Sequence, residues 1–79
     1  MAKLAKRRRD QNAINTMAKN VRKYRKEKKL TMLALANIAD LDYAQLGRIE
    51  RGLANSTVST IFSIAAALDI KPAQLLEIL

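Results

Sequence analysis

The chain has no cysteine and no histidine among its 79 residues. Without cysteine it can form neither disulfides nor thiolate metal sites. Without histidine the commonest general base and metal ligand is missing too. No cluster of carboxylates takes their place, so no catalytic constellation, metal site or cofactor site is visible, and the chain does not read as an enzyme. Aromatic side chains are scarce: Tyr24, Tyr43 and Phe62 are the full set, too few for a base-stacking platform of the kind single-stranded nucleic acid requires. No apolar run approaches the roughly 18–20 residues that cross a bilayer. The basic N-terminus is not followed by an apolar stretch, which argues against a secretory leader and leaves a cytoplasmic location as the default. Strand-like alternation and internal repeats are absent as well, leaving an all-α reading.

What the chain does have is charge of one sign. Lys and Arg total 15 against 7 acidic residues, a net charge of +8. A field of that strength attracts polyanions, chiefly nucleic acid, and acidic membranes less specifically. The charge is unevenly placed. Residues 1–40 hold 12 basic and 3 acidic side chains, and residues 41–79 hold 3 and 4, so the first part carries +9 and the second −1. Electrostatic attraction therefore lies in the first part, and any discrimination between sequences falls to a few polar groups in the second. A chain this short builds one modest core, with little room for a small-molecule pocket.

The most informative stretch runs from Leu35 to Gly52. Leu35, Ala36 and Ala39 recur at helical spacing. Asp40 occupies a turn, where Asp tolerates left-handed backbone better than most residues. Asp42 is placed to cap the next helix by accepting from its free N–H groups. Leu46 and Ile49 form that helix's inward stripe, leaving Tyr43, Ala44, Gly47 and Arg48 elsewhere on its surface. Gly52 suits a C-terminal cap. Two short helices around a tight turn, the second with a polar outer face, make the layout of a DNA-binding helix-turn-helix.

Around it the pattern predicts three further helices. Ile14, Met17, Ala18, Val21 and Tyr24 mark the inner stripe of a long first helix whose other side is Lys19, Arg22, Lys23, Lys26 and Lys29. Thr31 reads as the N-cap of a helix over about 32–39, and the helix after the turn covers about 42–51. Thr57 caps a fourth, with Val58, Ile61, Ile64, Ala65 and Leu68. Pro72 fits the first turn of a fifth, ending in Leu75, Leu76, Ile78 and Leu79. Residues 1–12 read as a flexible basic arm and residues 13–79 as the domain.

From about Val21 to Leu76 the chain resembles the Xre family of helix-turn-helix regulators, which includes the lambdoid phage repressors and Cro. The matching elements are Arg25-Lys26-Glu27-Lys28-Lys29-Leu30-Thr31, Leu35-Ala36, Arg48-Ile49-Glu50-Arg51-Gly52 and Ile64-Ala65-Ala66-Ala67-Leu68. In length the chain is also similar to the controller proteins of restriction–modification systems. The resemblance implies a compact five-helix, lambda-repressor-like domain with its helix-turn-helix at helices 2 and 3. It also implies a homodimer that binds operator DNA to regulate transcription, with repression as the expected outcome. Asp42, Tyr43, Ala44 and Arg48 match the family's contact positions, and Arg25 and Glu50 match a partly buried ion pair. The chain departs from the family in two places: Met32 stands where Gln usually bonds phosphate, and Asp40 replaces the usual turn glycine.

These positions yield a set of expected roles. Arg48 reads guanine through its O6 and N7 acceptors, Tyr43 stacks on a thymine methyl or bonds a phosphate through its hydroxyl, and Ala44 meets a thymine methyl, while Gly47 permits close approach. Thr31, Gln45, Arg51, Asn55, Ser56 and Thr57 contact phosphates. Arg7, Arg8 and Arg9 form an arm toward phosphates or the minor groove. Ile70, Leu76 and Leu79 are the expected dimer contact, because the C-terminal run is more apolar than a chain end needs. Each has a plainer alternative. Arg48 and Gln45 can be solvated, Tyr43 can cover the core edge, the arginines can be a solubilising tail, and the terminal leucines can be core. Two other functions fit the same features: the DNA-binding antitoxin of a toxin–antitoxin pair, betrayed by a co-purifying partner, and a nonspecific nucleic-acid-binding module, betrayed by indifference to sequence.

Overall fold

Four α-helices end here in the same way, and the way they end sets the fold. The computed structural model describes residues 9–78, in which α1 is Gln11–Glu27, α2 Met32–Ala39, α3 Tyr43–Glu50 and α4 Val58–Ala67. After each helix one residue adopts left-handed backbone: Lys29, Asp40, Gly52 and Asp69. The next N–H then bonds back to a carbonyl of the last turn. Leu30 reaches Arg25, Leu41 reaches Ala36, Leu53 reaches Arg48 and Ile70 reaches Ala65, at 2.8–3.1 Å. This is the Schellman closure, which satisfies orphan carbonyls and turns the chain sharply. In three of the four, the residue after the left-handed one (Leu30, Leu41, Ile70) also packs against the core. Asp40 does what its place in the turn predicted.

The starts are capped by side chains. Asp10, Thr31 and Thr57 each accept from the N–H three residues on. Asp42 holds the N-cap backbone conformation of α3, but its carboxylate makes no capping bond. The expected cap is thus positional only; its charge still lies at the positive end of the α3 dipole. Because Asp10 starts α1 at Gln11, residues 11 and 12, assigned to the arm above, lie inside the helix.

Val21, Leu35, Leu46, Ile64, Leu68 and Leu75 are fully buried and form the centre of the core. α1 packs on α3 and on the C-terminal segment, while α2 packs on both α3 and α4. The last element is a 3₁₀ turn, Pro72–Leu76, where an α-helix was expected. Glu77 is already extended, so Ile78 does not continue a helix. Asn20, buried in α1, donates through Nδ2 to the carbonyls of Leu75 (2.9 Å) and Glu77 (2.8 Å) and so holds the segment where it turns extended. Leu79, Arg7 and Arg8 lie outside the described residues. Among those residues there is no strand, and no helix is long and apolar enough to cross a membrane.

Candidate nucleic-acid interface

At about 100° per residue, the buried side of α3 is Leu46, Ile49 and Glu50. The opposite side, facing solvent, is Ala44, Arg48 and Arg51, with Tyr43 and Gln45 exposed at its edges. Tyr43 is 54% exposed, so it does not cover the core edge in the way its plainer reading required. The face is small, carries two guanidiniums and has few bulky groups, which suits a helix that must enter a groove.

Gly47 departs from expectation. It is buried, and a β-carbon there would lie 3.0 Å from Arg51 Nη1 and 3.4 Å from the Met32 methyl. It is a recess under Arg51, not a bare point of approach to a base. Met32 is half-buried and packs against the core, so it makes no substitute for the family's usual polar contact.

The end of α3 is held by side chains from the first part of the chain. Arg25 binds the Glu50 carboxylate with two bonds, Nε to Oε2 at 2.7 Å and Nη2 to Oε1 at 3.0 Å, and its Nη1 donates to the Leu30 carbonyl at 3.0 Å. The Glu50 residue is 4% exposed and the Arg25 side chain 14%. Arg22 donates to the Glu50 carbonyl. Gln11 donates to the Gly52 carbonyl at 2.9 Å, and Arg9 to the Leu53 carbonyl at 3.4 Å. Carbonyls at a helix C-terminus lack intrahelical partners and carry negative partial charge, so cationic donors serve them well. Arg9, expected in the arm, is thereby folded onto the loop after α3. Sequence reasoning missed Gln11, Arg22 and Asn20. The signal for the first two was there, since Gln11, Asn15, Arg22 and Arg25 fall on one strip of α1 at helical spacing.

The expected phosphate contacts divide. Gln45, Arg51 and Asn55 are exposed. Thr31 uses its hydroxyl oxygen to cap α2. The Thr57 hydroxyl accepts from the Thr60 N–H and donates to the Thr60 hydroxyl, so it is engaged on both sides. Ser56 is half-buried and its hydroxyl does not reach the surface: its Oγ is sealed from solvent without a hydrogen-bond partner, on the side of the loop that faces Ile14 and Ile61. Of the expected dimer contacts, Ile70 is half-buried against the core, Leu76 is 51% exposed and Leu79 lies outside the described residues; the neighbouring Ile78 is 88% exposed. On the outer side of α1, Lys23 bridges Glu27 at 3.3 Å and sits 4.2 Å over the Tyr24 ring. The hydrogen bond to Glu27 raises its pKa, at an exposed position.

The model of a helix-turn-helix family matches residues 21–75, more than two thirds of the chain. The chain belongs to that family. An immunity repressor protein of Bacillus phage phi105 is 39% identical to this helix-turn-helix chain over 56 residues, which are 71% of this chain and 39% of the phage protein. The chain therefore spans about two fifths of that relative's length. Among solved structures, the restriction–modification controller protein C.AhdI from Aeromonas hydrophila superposes with a TM-score of 0.76 at 34% identity, covering 78% of this chain and 94% of the controller. The N-terminal DNA binding domain of SinR from Bacillus subtilis gives a TM-score of 0.77 at 29% identity, covering 81% and 94%. A helix-turn-helix of this architecture is the sequence-specific DNA-binding module of transcriptional regulators, and the chain carries that module between its first helix and its 3₁₀ turn.

Proposed function

We propose that this protein binds a two-fold symmetric operator as a homodimer and represses transcription by occupying it. The observation that carries this reading is the outer face of α3, where Tyr43, Ala44, Arg48 and Arg51 are solvent-exposed while the helix end is fastened to α1. Lys and Arg side chains neutralise phosphates and release counterions, which draws the domain to any duplex. The basic residues ahead of α1, Arg7 and Arg8 included, add to that pull. Arg51, Gln45 and Asn55 fix the register on phosphates, and Arg48 donates to guanine O6 and N7 in the major groove. Tyr43 and Ala44 meet thymine methyls beside it. One α3 touches too few base pairs for a selective site, so two copies are needed, with half-sites about 34 Å apart. The exposed Leu76 and Ile78 support a second copy at the C-terminal end.

The test is Arg48→Ala, measured on the preferred site and on unrelated duplex. Binding to the preferred site falls by about 1–3 kcal/mol while binding to unrelated duplex barely changes. Equal losses on both would contradict the role given to Arg48.

A further inference from the structure

Gly47 is an odd residue for the middle of an eight-residue helix, since glycine weakens helix interiors relative to alanine. Its backbone is not the reason: among the described glycines only Gly52 has positive φ. The reason lies in what occupies its side-chain space. The Arg51 guanidinium is folded back one turn along α3 so that Nη1 lies 3.0 Å, and Cζ 3.9 Å, from where a β-carbon would be, and the Met32 methyl closes the other side at 3.4 Å. Arg51 is exposed to solvent all the same. Its guanidinium thus lies beside Gly47, close to the first residue of α2, instead of extending away from the helix end.

We propose that Gly47 is a positioning residue for DNA binding: its missing side chain is the seat in which Arg51 is held for a phosphate running past the start of α2. This deepens the operator-binding reading and rests on it. A guanidinium laid along the helix spends less rotational freedom on binding than one that must be collected from solvent. Its Nη2 and Nε donors stay available to a phosphate oxygen pair. An alanine at 47 puts its β-carbon at a separation that Nη1 must vacate. The occupant is the far end of a flexible side chain, so the fold yields easily while the seat is lost.

The experiment is a double-mutant cycle of Gly47→Ala and Arg51→Ala on duplex carrying the preferred site and on unrelated duplex, with melting temperatures for all four proteins. Gly47→Ala is expected to raise the melting temperature by roughly 2–6 °C, from helix propensity. It is also expected to weaken binding about fivefold near physiological salt on both duplexes, with the slope of log K against log salt nearly unchanged because the Arg51 charge remains. Arg51→Ala gives at least that loss and lowers the slope by about one, and adding Gly47→Ala to it changes nothing more. An equal loss from Gly47→Ala in the Arg51→Ala background overturns the proposal, because glycine then acts by its own approach to DNA. The DNA-free protein supplies a separate arm: relaxation of the Arg51 Nε–H resonance reports an ordered side chain in the parent and a freed one in Gly47→Ala. Equal mobility in both overturns the seat irrespective of DNA. A parent protein that orders Arg51 but binds no duplex overturns the operator reading, and the phosphate role with it.

Discussion

The two ends of the domain are fastened very differently. The C-terminal end of α3 is gripped by Gln11, Arg22 and Arg25, with Arg9 on the loop just beyond it, through bonds to the Glu50 carboxylate and to the carbonyls of Glu50, Gly52 and Leu53. The C-terminal end of the chain is held by Asn20 on two carbonyls and by one fully buried leucine, Leu75. Beyond that, Leu76 and Ile78 border an open trough of about 310 Å³ with Ala13 and Thr16. The bonds are concentrated at the end of the helix whose exposed face we propose reads bases, a task that needs side chains at fixed positions. At the other end an apolar surface is left uncovered. The basic first part of the chain therefore does two jobs. Some of its cations face solvent, and others are spent on the end of α3.

The sharpest way to break this contrast is Glu50→Gln, which leaves Arg25 without its anion in a nearly closed site. Removing one partner of such a pair costs about 3–5 kcal/mol. Urea unfolding should show a loss of that order; a change below about 1 kcal/mol would place the pair among ordinary surface contacts. Next comes Gly52→Ala. Gly52 has a φ of +75°, and a β-carbon there would sit 2.7 Å from Asn15 Oδ1. Left-handed strain and the displaced Asn15 should together cost about 1–2 kcal/mol by the same assay.

At the lighter end, Asn20→Ala leaves two carbonyls without donors but also removes the buried Oδ1 that has no hydrogen-bond partner. A loss of about 1 kcal/mol is expected, with faster amide exchange confined to residues 72–78. Exchange that quickens equally in α3 would mean the two ends are one cooperative unit. The smallest effect on stability belongs to the pair Leu76→Ser and Ile78→Ser, within about 0.5 kcal/mol because both side chains are exposed. Sedimentation of the same variant should show a shift from dimer toward monomer, and an unaltered dimer would move the interface elsewhere.

Much of this was legible in the chain. Helix starts were written in Thr31 and Thr57, the turn in Asp40, and the outer face of α3 in the spacing of Leu46 and Ile49 against Ala44 and Arg48. These signals are local, carried by residues within one or two turns of each other. What could not be read depended on partners far along the chain. Asn20 looks like one more polar residue beside Lys19, and its partners are 55 and 57 positions away. Ser56 looks like a loop residue offering a hydroxyl to phosphate, until the fold turns it toward Ile14 and Ile61. Gly47 looked like bare surface because its covering, Arg51 and Met32, comes partly from another helix. The end of the C-terminal 3₁₀ turn was likewise hidden, since the carbonyls of Leu75 and Glu77 are held by Asn20 from another helix.

The central claim is that the exposed face of α3 reads sequence, twice, on one operator. Selection of bound duplexes from a randomised pool near physiological salt tests it most directly. The account predicts a two-fold symmetric motif whose half-sites are centred about one turn of duplex apart, with guanine at the position lost in Arg48→Ala. Strong binding with no motif recovered would contradict it and reduce Arg48 to one more positive charge.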